Sequence, residues 1–420
     1  MRILYCVQRY GAGIAGGAEA ACRNVAERMV ARGHHVEVIT SCALNYDTWA
    51  DHFEPGTEEI NGVIVHRLPV RAPRDIDAFG PLHGRTISGH VPLAVERDWL
   101  RVNGPEVVGL TEWIDREVHR FDVVDVFTYL FMTAGLGTRV AAARVPTVLH
   151  PTAHDEPAFW LDVFRPMFDA ASAMAFLTPE EMELAGRRLG RRRRADELVG
   201  LGVGTDAVGD GDRFRREHDL GDGDLVVYLG RLDPGKGPDE LYRFMVSLMD
   251  SGRTSARLLV VGQQVITLPE HPGVIFTGFV DEQTKHDALA AATVFVQPSY
   301  FESFSLSLCE AWVEGRPALV QGRCDVLRGQ AARSRGGIPY TGLAEFDAAL
   351  ARLLADPALR DQLGHAGRQY VVANYQWDTV LDRYEQLLAR AIGERRLADH
   401  SLTSPRGPSP ALRHAFDRVP

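Results

Sequence analysis

No apolar run in the 420 residues approaches 18, so the sequence offers no candidate for a membrane-crossing helix. It also lacks a basic excess. Lys and Arg number 46 against 56 Asp and Glu, a net charge of −10, which argues against a general nucleic-acid binder. Cysteines are few and scattered: Cys6, Cys22, Cys42, Cys309 and Cys324 are odd in number and lack metal-ligand spacing, so they read as reduced thiols of a cytoplasmic protein. The first residues, "MRILYCV", go directly into a strand-like run without a signal-peptide pattern. What is present is globular: 45% hydrophobic and 24% charged residues, in a chain too long for one ordinary core. Two domains are therefore expected.

Short β-rich apolar runs alternate with helical stretches. Strands are predicted at "RILYCV", "HVEVITS", "GVIVHRL", "DVVDVF", "PTVLHP" and "AMAFLT". After "GLGVGTD" the series restarts with "DLVVYLG", "ARLLVVG", "GVIFTG", "TVFVQPS" and "PALVQG". Helical patterns lie between them, for example from Asp239 to Ser251 and from Thr284 to Ala292. This alternation predicts an α/β fold of parallel βαβ units. Two series parted near residue 200 predict two doubly wound domains, with ligands at the carboxyl ends of the strands between them. Residues 72–103 break the pattern and are expected to form a long loop with some helix. The stretch from Arg395 on, rich in Ser, Pro and Arg, is expected to be disordered.

Gly11, Gly13 and Gly16 spell G-x-G-x-x-G after the first strand, the pattern of a dinucleotide-binding turn. Two supports are missing. Gln8, Arg9 and Tyr10 separate the strand from the first glycine, and the second strand ends in Thr40 and Ser41 without a carboxylate for a ribose hydroxyl. What is left is a glycine loop that lets a ligand approach the backbone, leading into a helix from Ala18 to Ala31 whose start favours an anion or hydroxyls.

The second half carries sharper signals. In "VVYLGRLDPGKGPDEL" a buried strand ends in Gly230, followed by Arg231 and Lys236 in a loop that opens a helix near Asp239. Two cations at a strand end beside a helix start suit a diphosphate, the arginine as a bidentate fork and the lysine as a point charge. A surface turn with two solvated cations is the plainer alternative. In "PSYFESFSLSLCEAWVEG", Glu302 precedes a helix from about Leu306 and Glu310 lies two turns along it. A carboxylate can accept paired hydrogen bonds from vicinal hydroxyls of a ribose or hexose, and free N–H groups from Ser303 to Leu306 can meet phosphate or hydroxyl. An acidic residue on a solvated helix face is the alternative here.

Together, Gly230, Arg231, Lys236 and Gly237 with Glu302 and Glu310 resemble the G-R-x-x-x-x-K-G and E-x7-E motifs of the retaining GT-B glycosyltransferases, the glycogen-synthase-like family 4 (glycosyltransferase group 1). "GGAE" at Gly16–Glu19, "HPTAHDEPAF" at His150–Phe159, "GVGTD" at Gly202–Asp206 and "NYQWDTVLDRYEQLL" at Asn374–Leu388 extend the resemblance over nearly all of the chain to about residue 392. One departure is Ser305, where that family commonly has glycine. The resemblance implies two facing Rossmann-like domains, 1–202 on the acceptor side and 203–375 on the nucleotide-sugar side. A helix over 376–392 would pack back on the first domain, ahead of a disordered tail over 393–420. It implies transfer of a sugar from a nucleotide diphosphate sugar, a donor substrate rather than a cofactor, with retention of anomeric configuration. Gly16 and Gly17 would lie over the donor diphosphate and the acceptor. Arg231 and Lys236 would neutralise the leaving diphosphate, Glu310 would hold the ribose and Glu302 the donor sugar. The amides of Phe304, Ser305 and Leu306 would meet hydroxyls and phosphate. The base would lie near "GFVDE", Gly278 to Glu282, with Phe279 and Val280 against it.

Two histidines compete on the acceptor side. His154 is favoured over His150 because Asp155 beside it can fix its tautomer; Asp155 and Glu156 can orient the acceptor. A capping or core histidine is the alternative. Asp75–Asp77, Asp210–Asp212 and Asp222–Asp224 are D-x-D strings, but none follows a buried strand, so they read as turns; the resemblance, to a class that places the diphosphate on protein cations, implies no essential metal. The basic run Arg187, Arg188 and Arg191 to Arg194 is either a solvated helix end or a dock for the inner face of an anionic membrane. Two other function classes fit a similar fold: a non-hydrolysing nucleotide-sugar epimerase, which needs no acceptor, and a non-catalytic nucleotide-binding module. Base, sugar and acceptor are not legible in the residues.

Overall fold

The computed structural model describes residues 1–14, 16–190, 193–206 and 208–403. The first half forms one sheet from β1 (Arg2–Cys6), β2 (His35–Ser41), β3 (Gly56–Ile60), β4 (Val63–Leu68), β5 (Val123–Phe127), β6 (Thr147–His150), β7 (Ala173–Phe176) and β8 (Glu197–Leu198). The second half forms another from β9 (Leu225–Leu229), β10 (Arg257–Val261), β11 (Val274–Gly278), β12 (Val294–Gln297), β13 (Ala318–Gln321) and β14 (Gly337–Tyr340). Strand orders are β3-β4-β2-β1-β5-β6-β7-β8 and β11-β10-β9-β12-β13-β14. Every pairing is parallel except β3 with β4.

Helices cover both faces of a parallel sheet, so its central strands are apolar throughout rather than alternating. β5 and β9 are buried at all five positions. In each sheet the strand order reverses once, between β1 and β5 and between β9 and β12. The carboxyl ends at such a reversal leave a crevice, and the loops after β1, β9 and β12 open there.

The predicted strands all form. Those that sequence reasoning missed are edges: β3, "GTEEI", is exposed over most of its length, and β14 contains Pro339, which cannot donate to a ladder and is tolerated at an edge. Residues 72–103 are more ordered than expected. They form helices Ile76–Ile87, capped by Asp75 accepting from the Ala78 amide at 2.9 Å, and Leu93–Asn103, which buries Trp99 against Phe164.

The last helix, Trp377–Thr403, crosses back onto the first domain and runs past residue 392, where the sequence reading ended it. Its apolar face is Val380, Leu381, Tyr384, Leu387, Leu388 and Ala391, all buried. Burying each large aliphatic member contributes about 1.5–3 kcal/mol, more than the exposed ion pairs of Arg32 with Asp378 and Asp382. The rest of the expected tail, 404–420, lies outside the described residues. The domains also touch near the crevice: Thr178 Oγ1 donates to the Ser303 carbonyl at 3.0 Å, and Glu180 pairs with Arg333.

Candidate functional site

Backbone geometry explains the glycines of the cation loop. Gly237 has φ +68°, and a Cβ there would stand 2.5 Å from the Pro298 carbonyl oxygen. Only glycine lets the loop after β9 press against the loop after β12. That contact brings Lys236 to Glu302, Nζ to Oε1 at 2.7 Å. Arg231 is held by Asp233, at 3.0 Å from Nε and 2.5 Å from Nη2.

Glu302 is 8% exposed. It also accepts from Gln297 Nε2 at 2.9 Å. Burial alone pushes its carboxyl up the pH scale. Lys236 outweighs that, with help from His154 across the crevice, and holds the group below the usual carboxylate range. Phe304 and Ser305 are buried at the start of helix Leu306–Val313. Ser305 stands at φ +71°, the left-handed region, and its Oγ is buried without a hydrogen-bond partner.

From the first domain, His154 Nδ1 lies 3.4 Å from Glu156 Oε1, which accepts from Tyr129 Oη at 2.7 Å. The expected orienting partner, Asp155, faces elsewhere: it binds Trp160 Nε1 at 2.8 Å and Arg187 at 3.2 Å. One residue's difference decides this: the Glu156 amide donates to the His154 carbonyl at 2.9 Å, a tight turn centred on Asp155. His150 does not reach the acceptor side. It is 3% exposed, stacked on Phe127 at 4.2 Å and 3.1 Å from Asp125 Oδ2, beneath Tyr384 of the last helix. It ends β6 in register with Phe127, so the sheet places it in the core.

The loop carrying His154 is anchored by two features that sequence reasoning did not single out. Glu181 is buried and accepts from the Ala153 and Leu177 amides, each at 2.7 Å; burial lifts its carboxyl to about 8. Thr128 and Thr152 sit at φ +60° and +50°, with their hydroxyls 2.8 Å apart. A β-branched residue in that region costs on the order of 1–2 kcal/mol, so the surrounding contacts enforce it. The sequence signal for Glu181 is Thr178-Pro179-Glu180-Glu181, the pattern of a capping box opening helix Pro179–Leu189; Thr178 Oγ1 accepts from the Glu181 amide at 3.2 Å, while the carboxylate goes to Leu177 and Ala153 instead of the Thr178 amide.

The glycine loop faces the crevice from the end of β1. A Cβ at Gly16 would stand 2.3 Å from Glu19 Oε2, whereas Gly17 has open space around it. Glu19 fixes the preceding residues, accepting from Gln8 Nε2 at 2.8 Å and Arg9 Nε at 2.9 Å. Arg231 meets the opposite domain at Tyr46, its guanidinium 4.8 Å from the ring centre. Tyr46 lies in the loop after β2, a strand whose end carries no carboxylate in the sequence.

Glu310 is also 8% exposed. It is capped by Lys285, Nζ to Oε1 at 2.6 Å, and Lys285 equally binds the exposed Glu282 at 2.6 Å. Burial dominates and lifts the Glu310 carboxyl, against the attraction of Lys285. Phe279 is 79% exposed and Val280 partly buried, both in the loop that leads to helix Glu282–Ala290, which carries Lys285. Lys285 was not foreseen; a lysine inside a polar helical stretch reads as solvated.

Three described members of the arginine run serve their own domain. Arg187 pairs with Asp155, Arg188 donates to the Trp160 and Leu161 carbonyls, and Arg193 donates to the Phe168 carbonyl. Arg191 and Arg192 lie outside the described residues. Among the described residues no helix is long and apolar enough to cross a membrane.

Residues 16–202 match the family model for the glycosyl transferase 4-like domain, and residues 210–370 match the model for glycosyl transferases group 1. The D-inositol 3-phosphate glycosyltransferase of Acidothermus cellulolyticus is 26% identical over 416 residues, spanning 92% of this chain and 88% of that protein. That of Nocardiopsis dassonvillei is 27% identical over 410 residues, spanning 89% of each. Among solved structures, sucrose-phosphate synthase from Thermosynechococcus elongatus superposes with a TM-score of 0.68 at 19% identity, over 94% of this chain and 100% of that one. Anabaena HepE in complex with UDP and glucose gives 0.68 at 15% identity, over 93% and 100%.

Proposed function

The chain belongs to the group 1 glycosyltransferases and transfers a sugar from a nucleotide sugar; from that premise we propose that it is a retaining enzyme whose donor sits between Lys236, Glu302 and His154. The observation that carries this is the convergence on Glu302 of Lys236 from the second domain, at 2.7 Å, and of His154 from the first domain across the crevice. Lys236 and Arg231 neutralise the departing diphosphate, which is charge stabilisation at the point where charge develops. Glu302, with its proton affinity lowered by Lys236, is a poor base. It acts as a fixed anion beside the transferred sugar, where positive charge grows as the glycosidic bond breaks. His154, oriented by Glu156, hydrogen-bonds a hydroxyl of the donor sugar or acceptor. Glu310 holds the ribose. The two protein cations do the work that a divalent ion does elsewhere, so EDTA leaves turnover unchanged in this scheme.

The relatives act on D-inositol 3-phosphate, which makes a small phosphorylated polyol the first acceptor to try. Incubation with UDP-, GDP- and ADP-sugars, with and without that acceptor, is the test. A glycosylated product of unchanged anomeric configuration supports the proposal; an epimerised donor without acceptor contradicts it. Flotation with anionic vesicles at low and high salt tests peripheral binding through Arg187–Arg194. Recovery of the protein with vesicles only at low salt would add a membrane surface to the partners.

A further inference from the structure

Lys285 has no part in the scheme above, yet it is the closest cation to Glu310. It rises from helix Glu282–Ala290 and is itself mostly buried, with 14% of its side chain exposed. Its ammonium bridges two carboxylates of different character, Glu310 with 11% of its side chain exposed and Glu282 with 86%. A buried carboxylate without a partner takes up a proton, and a protonated carboxyl loses half of its accepting capacity toward a vicinal diol.

We propose that Lys285 is the positioning residue for Glu310: its ammonium keeps that buried side chain an anion, so that both oxygens accept from the ribose diol of the nucleotide. The inference rests on the placement of the ribose at Glu310. The other charged groups facing the carboxylate are Glu282, which repels it, and His286, which attracts it and is itself 2.8 Å from Glu314 Oε1. Cys309, the neighbouring residue, is buried as a thiol whose proton affinity burial raises further, so it adds no charge.

The consequence is pH dependence without Lys285. The Glu310 carboxyl already lies above its usual range with the lysine present. Removing the lysine raises it again, and binding that needs the anion is then lost as pH falls through the new value. Any positive charge on His286 attracts the carboxylate and so opposes this trend rather than imitating it. The diphosphate of the ligand also titrates, near pH 6, but equally for every variant.

The probe is free UDP, GDP or ADP, whichever raises the wild-type melting temperature most. Affinity is measured calorimetrically at pH 6, 7 and 8 for wild type, Lys285→Met, Lys285→Arg and Glu310→Gln. The ratio of wild-type to Lys285→Met affinity should grow from pH 8 to pH 6, by up to about tenfold for a one-unit rise in proton affinity, the limit approached once pH lies below both values. Lys285→Arg should stay within about twofold of wild type throughout, because it restores the charge. Lys285→Gln serves in place of methionine if the latter does not fold. A ratio that is flat across the three pH values overturns the role of Lys285. Wild-type affinity in Glu310→Gln removes the ribose from Glu310 instead, and the inference falls with that placement. Weak, pH-independent binding by Glu310→Gln with a flat Lys285→Met ratio leaves the ribose placement standing and rejects Lys285 alone.

Discussion

Glu302 and Glu310 are the same residue type, equally buried, each within 2.7 Å of one lysine, yet their carboxyls move in opposite directions. Desolvation is the largest influence on both and pushes both upward. The difference lies in what else each lysine does. Lys236 serves Glu302 alone among its hydrogen-bonded carboxylates, and Gln297 and His154 add to the attraction. Lys285 divides its charge with Glu282, whose own charge repels Glu310. An ion pair of fixed length therefore does not fix the charge state; the neighbours of the cation do. Of the two carboxyls, the one proposed to lie beside the transferred sugar is the one held below its usual range.

The largest expected effect breaks the first pair. Glu302→Gln should lower transfer roughly 100-fold, in the range of removing one stabilising group from a reacting centre. Affinity for free nucleotide diphosphate should hardly change, since the transferred sugar is absent from that ligand. Lys236→Met should lower transfer and nucleotide affinity together. Calorimetry beside a transfer assay checks both, and equal loss of nucleotide affinity in Glu302→Gln and Glu310→Ala would merge two roles kept apart here.

Breaking the second pair should matter less for chemistry and more for binding. Glu310→Ala should weaken donor and free nucleotide by a similar factor. Losing one charged hydrogen-bonding partner costs about 1.5–3 kcal/mol, or roughly ten- to a hundredfold in Kd. A change in kcat at saturating donor with unchanged nucleotide affinity would place Glu310 beside the sugar instead.

A third carboxylate extends the comparison to a case with no cation among its named influences. Glu181 is held by two amides, and burial lifts it to about 8. The folded state then binds a proton more tightly than the unfolded one, whose carboxyl titrates near 4.3. By linkage its contribution makes the protein less stable as pH rises from about 4.3 to 8. Glu181→Gln should remove that slope, so the variant gains on wild type by a few degrees in melting temperature between pH 5 and pH 8. A constant difference over this interval would mean that Glu181 is ionised in the folded protein throughout.

These side chains were unequally legible. Lys236 and Glu302 could be placed because each follows a strand whose apolar run fixes its end, and a strand end in a parallel sheet is where ligands bind. Glu156, not the adjacent Asp155, is the partner of His154, since sequence gives adjacency and not the direction of side chains around a tight turn. His150 was carried to the acceptor side because its burial depends on a helix more than 200 residues later in the chain. Lys285 and Tyr46 escaped because each acts through a partner far along the sequence, Glu310 and Arg231 respectively. The edge strands β3 and β14 escaped because edges need neither alternation nor continuous apolarity.

The smallest effect concerns the turn between the two glutamates. Ser305 departs from the glycine common in the resembled family, and it occupies φ +71° with its hydroxyl buried and unpartnered. A non-glycine residue in the left-handed region costs on the order of 1–2 kcal/mol, and an unpaired buried hydroxyl adds to it. Glycine would relieve both but loses more freedom on folding, roughly 0.5–1 kcal/mol. Ser305→Gly should therefore stabilise by up to about 1 kcal/mol, a rise of about 2–4 °C in melting temperature for a domain of this size. Its amide stays in place, so nucleotide affinity should not move. If the variant melts lower than wild type, the Ser305 hydroxyl has a partner in solution, and a donor oxygen or an ordered water at the start of helix Leu306–Val313 becomes the first place to look for it.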